Sequence, residues 1–197
     1  NVGLTNKRLA KVAKKICIAK KKKEKFFPKR KLVLTGNPVR QDIVDLKNKK
    51  EKAIQFFQLD SSKPILLAIG GSLGARTINE SIAEGIKALE EKNIQLIWQT
   101  GKAYREKTQS IQSNLCRIHP FIQEMDYAYA AADIIIARAG ALSISEIAIV
   151  GKPVILVPSP HVTADHQTKN ALELVKKEAA ILIHDAEAKK KLIHTAI

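Results

Sequence analysis

The sequence predicts a doubly wound α/β domain built on a parallel sheet. Three observations carry the prediction. Short apolar runs alternate with helix-like segments from Ile65 onward. The runs are continuously apolar instead of alternating with polar residues, as in strands covered on both faces. Glycine and polar residues gather where an apolar run ends and a helix-like segment begins, the arrangement of a strand–helix rhythm that winds in both directions.

The elements follow in order. Leu4–Lys14 carries Leu4, Leu9, Val12 and Ala13 among lysines, a loosely amphipathic helix that Thr5 or Asn6 could cap. Lys15–Ala19 and Leu32–Leu34 read as short strands, the second closed by the turn or linker Thr35–Pro38. Asp42–Phe57 reads as a helix. Strand Ile65–Ile69 then leads to helix Ala75–Glu90, and strand Gln95–Gln99 leads through Thr100 and Gly101 to helix Tyr104–Gln112. Strand Leu115–Ile118 precedes helix Met125–Ala131, and strand Asp133–Ala137 precedes helix Leu142–Val150. Strand Val154–Val157 leads to helix His166–Lys177, and strand Ala180–Ile183 to a last helix from about Ala186. Residues 1–34 are too short for a domain and the chain stops inside a helix. The expected organisation is the tail of one domain over 1–34 and most of a second over 35–197.

The net charge is +15, and it is unevenly placed. Residues 1–52 hold 18 of the 34 Lys and Arg but 4 of the 19 Asp and Glu, so +14 of the charge lies there. Lys20–Lys23 and Lys29–Lys31 are its centres. Such a segment is either a solvated face or a partner for an anionic membrane surface or nucleic acid. The membrane ranks above nucleic acid because no aromatic residues interleave the lysines as stacking platforms. No apolar run approaches the roughly 18 residues of a membrane span, and lysines interrupt any signal-peptide pattern near the start. Two lone cysteines, Cys17 and Cys116, suggest buried thiols in a reducing, cytoplasmic compartment.

Ligands of doubly wound sheets sit at the C-terminal strand ends, so the loops there hold the candidate chemistry. Gly70–Gly74, in the stretch AIGGSLGAR, fits neither the dinucleotide fingerprint nor a P-loop. Glycines before a helix start can turn backbone N–H groups toward a phosphate or diphosphate. Ser72 would add a hydroxyl, and Gly71 and Gly74 the room; the alternative is a tight turn with Ser72 as a cap. Arg138–Glu146 is the second candidate. Ser143 to Glu146 matches a capping box; alternatively, the N–H groups of Ala141, Leu142 and Ser143 face a ligand and Glu146 accepts sugar hydroxyls. The third is Thr163–Asn170, where Asp165 is a cap or where Asp165, His166, Gln167 and Asn170 meet a second sugar. Arg40, after Gly36–Val39, is a surface arginine or one suited to a phosphate or base edge. His161 and His166 lack a third ligand, so no metal site is expected. No nucleophile elbow or Ser-His-Asp arrangement appears.

These stretches together (TGNPVR, AIGGSLGAR, WQTGK, the run from Pro120 to Pro158, and DHQTKNA) resemble the C-terminal half of the MurG family over about Thr35 to Ala180. Members convert lipid I to lipid II in peptidoglycan synthesis. The resemblance implies a GT-B glycosyltransferase, two Rossmann-like domains across a cleft, with this half binding the donor UDP-N-acetylglucosamine. It implies donor contacts at Arg40, Ser72 near the diphosphate, Ile122 at the uracil through its backbone, Ala141, Leu142, Ser143, Ile144 and Ser145 along the nucleotide, Glu146 on the ribose and Gln167 on the N-acetylglucosamine. Gly71, Gly74, Arg138, His166 and Asn170 are possible additions.

The implied reaction is inverting, with no cofactor, no metal and no covalent enzyme intermediate. The acceptor is undecaprenyl-linked lipid I, at the cytoplasmic face of the bacterial inner membrane, with peripheral attachment to its anionic surface and no nucleic-acid partner. The glycine-rich loop and catalytic base of the family's first domain lie upstream of Asn1. No catalytic residue is therefore expected within this chain, and alone it should bind donor weakly and turn nothing over. Ala139 stands where many members carry serine. The alternatives are another GT-B enzyme using a UDP-sugar, such as a diacylglycerol glycosyltransferase or a UDP-N-acetylglucosamine 2-epimerase, or a nucleotide-binding module without chemistry.

Overall fold

A computed structural model describes residues 3–19, 21–111, 113–162 and 165–197. Lys20, Gln112, Thr163 and Ala164, which belong to segments singled out above, lie outside the described residues, as do the side chains of Lys22 and Lys23. The chain divides into two compact units, Asn1–Val39 and Arg40–Ile197.

The first unit holds helix α1 (Leu4–Val12) and two short parallel strands, β1 (Ile16–Ile18) and β2 (Leu32–Leu34), with Ile16 opposite Leu32. Gly3 occupies the cap position of α1 and makes no side-chain cap bond, so neither Thr5 nor Asn6 caps it. Lys31 reaches back to the other end of the helix, its Nζ donating to the carbonyls of Lys11 at 2.8 Å and Ala10 at 3.2 Å. A cation there complements the helix dipole. The expectation of a buried Cys17 fails. Side chains alternate along a strand, Ile18 points inward and Cys17 is exposed.

The second unit carries β3 (Ile65–Ile69), α3 (Arg76–Glu91), β4 (Gln95–Gln99), β5 (Cys116–His119), α4 (Met125–Ala131) and β6 (Ile134–Ala137), after helix α2 (Lys50–Phe56). It continues with α5 (Ala141–Val150), β7 (Val154–Leu156), α6 (His166–Val175), β8 (Ile181–Leu182) and α7 (Ala188–Ala196). The six strands pair in parallel in the order β5-β4-β3-β6-β7-β8. The chain therefore winds outward one way from β3 and the other way from β6. Their shared border is the topological switch point, where open α/β sheets bind ligands.

The continuous apolar strands are explained by two cores. Along β3, Ile65, Leu67 and Ile69 enter one, with α2, α4 and Ile147 of α5. Leu66 and Ala68 enter the other, with α3 and α7. Trp98 of β4 is fully buried, and its indole N–H donates to Asn79 Oδ1 at 3.0 Å. Asn79 Nδ2 in turn donates to the Thr100 carbonyl at 2.7 Å, so the buried polar pair is satisfied.

Two expected helices are not continuous. Within Asp42–Phe57 only a 3-10 turn at Gln41–Ile43 and α2 form. Asp45 Oδ1 takes the Lys47 N–H at 3.2 Å, a local bond that competes with the helical ladder. Tyr104–Gln112 is replaced by two 3-10 turns, Lys102–Tyr104 and Glu106–Thr108. There the Thr108 hydroxyl donates to the Arg105 carbonyl at 2.7 Å, again drawing the backbone into a short turn.

Candidate functional site

The β3–α3 turn is closed by Gly74 N–H donating to the Gly71 carbonyl at 3.0 Å. Gly71 and Gly74 have φ of +80° and +79°, a region L-residues avoid. Their surroundings differ. A Cβ on Gly74 would lie 2.1 Å from the Thr100 carbonyl oxygen, and one on Gly70 would lie 2.3 Å from Ala75 N. A Cβ on Gly71 would meet nothing within 4 Å. Gly70 and Gly74 thus make room for the protein's own backbone, and within this turn Gly71 is the glycine that borders open space. Gly101 packs from the next loop, where a Cβ would lie 2.5 Å from Gly74 N.

Across the switch point, β6 passes into α5 through Arg138, Ala139 and Gly140. Gly140 is the cap position, and α5 begins at Ala141 without a side-chain cap bond or an acidic residue in its first turn. Ser143 therefore sits inside the helix, and of the two alternatives for this stretch the capping box does not form. Helix α3 likewise begins after Ala75 with no side-chain cap bond and no acid in its first turn. Two positive helix ends flank the switch point. A cleft of about 530 Å³ lies there, lined by Gly71, Ser72, Gly74, Arg138, Ser143 and Gln167 among others. A smaller pocket of about 130 Å³ adjoins it through Gly71, Arg138 and Ser143, and adds Arg40, Ile122 and Glu146.

The side chains of this rim are largely engaged. Arg138 Nη1 donates to the carbonyls of Val157 at 3.0 Å and Pro158 at 3.1 Å and pairs with Asp185. Asp185 also accepts the Thr77 hydroxyl at 2.8 Å, which binds the start of α3 to the β6 loop. Gln167 Oε1 accepts the Ser159 N–H at 2.9 Å. Arg40 donates to the Gln123 carbonyl at 3.0 Å and pairs with Asp42 at 3.3 Å. Ile122 is buried, and its N–H donates to Gln99 Oε1 at 2.9 Å. Glu146 accepts from the Tyr129 hydroxyl at 3.2 Å. Burial, then the neighbouring carboxylate, holds that phenol far above its ordinary range, so it stays a donor.

The remaining expected residues do not line these two pockets. Asn170 Nδ2 donates to the Ala139 carbonyl at 3.2 Å, which ties α6 to the β6 loop. The Ser145 hydroxyl donates to the Ala141 carbonyl at 3.0 Å. Ile144 packs on the core, and Ala141, Leu142 and His166 are exposed. Asp165 takes the cap position of α6, with φ of +49°, and makes no side-chain cap bond. Ala139 is fully buried, its methyl in the core. Gln99, Tyr129 and Asp185 were missed. Only Gln99 had a local signal, an amide directly after the apolar run Leu96–Trp98 at the C-terminal end of its strand. Among the described residues no group of three or more His, Cys, Asp or Glu gathers as a metal site would.

Comparison with known proteins gives this geometry a family. A sequence model of the glycosyltransferase family 28 C-terminal domain matches residues 65–197. A protein of Parabacteroides distasonis is 52% identical over 99% of this chain and 54% of its own length. One from Flavobacterium psychrophilum is 54% identical over 94% of this chain and 51% of its own. Both are named UDP-N-acetylglucosamine–N-acetylmuramyl-(pentapeptide) pyrophosphoryl-undecaprenol N-acetylglucosamine transferase. The crystal structure of Acinetobacter baumannii MurG superposes with a TM-score of 0.66 at 31% identity, covering 99% of this chain and 55% of that one. A glycosyltransferase from Rickettsia africae shares the fold, with a TM-score of 0.61 at 16% identity over 100% of this chain and 56% of that one. The chain spans about half the length of the curated relatives it matches. Its fold is the doubly wound, Rossmann-like parallel sheet of a GT-B glycosyltransferase, and the chain belongs to glycosyltransferase family 28 through that family's C-terminal domain.

Proposed function

We propose that this chain is the donor-binding half of an inverting transferase that moves N-acetylglucosamine from UDP-N-acetylglucosamine to lipid I, forming lipid II. The observation that carries the proposal is the cleft at the β3/β6 switch point, flanked by two helix starts without side-chain caps and joined to a pocket that holds Glu146. The names of relatives about 50% identical over nearly the whole chain supply the sugar and the acceptor.

In this proposal the diphosphate lies between Ser72 and the start of α5, where backbone donors and helix dipoles favour its charge. Glu146, oriented by the Tyr129 hydroxyl, accepts the ribose hydroxyls. The backbone at Ile122 meets the uracil, with the Phe121 carbonyl of the same peptide as acceptor, since the Ile122 N–H already serves Gln99. The Gln167 amide NH₂, with His166 beside it, contacts the N-acetylglucosamine. The acceptor's 4-hydroxyl attacks the anomeric carbon, the bond to the UDP oxygen breaks with inversion, and the same donors stabilise the charge that develops on the diphosphate.

The membrane side of the proposal rests on the first unit. Leu4, Leu9 and Val12 are exposed on α1 beside Lys7, Arg8 and Lys11, apolar and cationic groups that suit an anionic bilayer surface. No helix among the described residues is long and apolar enough to cross a membrane. We place this contact at the cytoplasmic face, where the nucleotide donor is found. Serine at Lys7, Arg8 and Lys11 should weaken binding to anionic vesicles; unchanged binding would argue against this surface.

Calorimetric titration with UDP-N-acetylglucosamine, UDP, UDP-glucose and NAD tests the donor assignment. Saturable binding of UDP and the N-acetylglucosamine donor, with UDP-glucose weaker and NAD absent, is the expected result. Folded full-length protein that ignores every UDP ligand would refute it.

A further inference from the structure

Gln99 closes β4 at the rim where the cleft opens, and it is 5% exposed. Both ends of its side-chain amide hold backbone. Nε2 donates to the Gly71 carbonyl at 3.1 Å, and Oε1 accepts the Ile122 N–H at 2.9 Å. These groups belong to two different loops, 28 and 23 residues away in the sequence. A trans peptide points its C=O and N–H in opposite directions. Holding the Gly71 carbonyl toward Gln99 therefore turns the Ser72 N–H away from it. Holding the Ile122 N–H turns the Phe121 carbonyl away. Gly71, Phe121, Ile122 and Gln99 all border the same 130 Å³ pocket.

We propose that Gln99 is a positioning residue that sets the phosphate-side donor and the base-side acceptor in one frame, so that the two ends of a nucleoside diphosphate are recognised together. The proposal rests on the assignment of this cleft to a UDP-sugar. Only an amide supplies one donor and one acceptor at these two places. A carboxylate still accepts the Ile122 N–H but faces the Gly71 carbonyl oxygen without a proton. Gln95, at the other end of the same strand and 3% exposed, is the internal control. Its Nε2 and Oε1 bond the carbonyl and N–H of Asp60, both at 2.7 Å, with a longer Nε2 contact to the nearby Lys63 carbonyl at 3.5 Å, so it holds one local turn and not two distant loops.

The test is titration of the full-length protein carrying this chain with uridine and with UDP, in the wild type, Gln99→Glu, Gln99→Met and Gln95→Met. In Gln99→Glu the preference for UDP over uridine should fall roughly tenfold, the loss of a hydrogen-bonded frame, while uridine affinity stays within about twofold of wild type. The preference should recover as the pH is lowered and the introduced carboxyl gains a proton to donate to Gly71. Gln95→Met should lower the melting temperature and leave the preference unchanged. An unchanged preference in folded Gln99→Glu, or an equal loss for both ligands, overturns the proposal.

Amide hydrogen exchange separates the two possible failures. The Ile122 N–H should be protected in the wild type and Gln99→Glu and lose protection at least about tenfold in Gln99→Met. A wild-type protein with this pattern that binds neither ligand refutes the donor assignment and leaves the loop-joining contact standing. Equal protection in all three overturns the positioning role whatever binds.

Discussion

At the rim where the strands of the main sheet begin, polar side chains close backbone that would otherwise be unpaired. Gln95 holds Asp60, Asp133 accepts the Ile65 N–H at 2.9 Å and pairs with Lys50 at 3.0 Å, and Lys152 donates to the carbonyls of Ala130, at 2.7 Å, and Ala132. At the rim where the strands end, Gln99, Arg138, Gln167 and Asn170 also hold backbone. That backbone, however, belongs to loops around a cleft, and α3 and α5 begin there without side-chain caps. The same chemistry thus stabilises at one end and arranges at the other. At the second rim closure stops at the loops, and the two helix starts there carry no side-chain cap bond.

The largest expected effect breaks the functional rim itself. Gly74→Ala forces a side chain into φ of +79° and 2.1 Å from a backbone oxygen, and should cost more than about 3 kcal/mol, seen as a large fall in denaturation midpoint together with loss of nucleotide binding. Gly71→Ala, strained alike but without a collision, sharpens the contrast by costing far less in the same assay.

Asp185→Ala comes next. It leaves Arg138 without its carboxylate at a site where both side chains are mostly covered, and should cost about 2–3 kcal/mol by chemical denaturation. Glu146→Ala leaves the buried Tyr129 hydroxyl without its acceptor and should cost about 1 kcal/mol; it should weaken UDP about tenfold, and calorimetry should show that it no longer distinguishes UDP from its 2′-deoxy analogue.

The smallest effect belongs to the other rim. Burial, with Lys50 nearby, pushes the Lys152 amine down from 10.5 to about 8. Below about pH 8 it is protonated in both folded and unfolded chains, and the folded state bears the cost of the covered charge. Between about 8 and 10.5 the unfolded chain holds the proton more tightly, so stability should rise with pH in that window. Lys152→Met should remove that rise without changing nucleotide affinity.

Much of this was legible in the sequence, for local reasons. Continuous apolar runs marked the strands, turn glycines marked the β3–α3 loop, and the order of short motifs resembled one enzyme family. The failures were also local in kind. Asp45 and Thr108 divert the backbone through bonds two and three residues long, and apolar periodicity does not register them. The capping-box alternative at Ser143–Glu146 does not hold because α5 already starts at Ala141 after Gly140, which puts Ser143 inside the helix and not at its cap.

The sequence by itself determined a parallel sheet buried on both faces, a chain whose positive charge is concentrated in its first quarter, and a glycine turn between a strand and a helix. Those properties follow from side-chain volume, charge and backbone freedom at neighbouring positions. Tertiary structure alone decided that β3 lies beside β6, that a side chain at Gly74 would strike the Thr100 carbonyl while one at Gly71 would strike nothing, and that Gln99, Tyr129 and Asp185 join the loops around the cleft. Their contacts span from 17 residues, between Tyr129 and Glu146, to 108, between Thr77 and Asp185. Contacts of that range exist only after the strands have taken their order, because a hydrogen bond is decided by distance and direction in the assembled sheet and not by proximity along the chain.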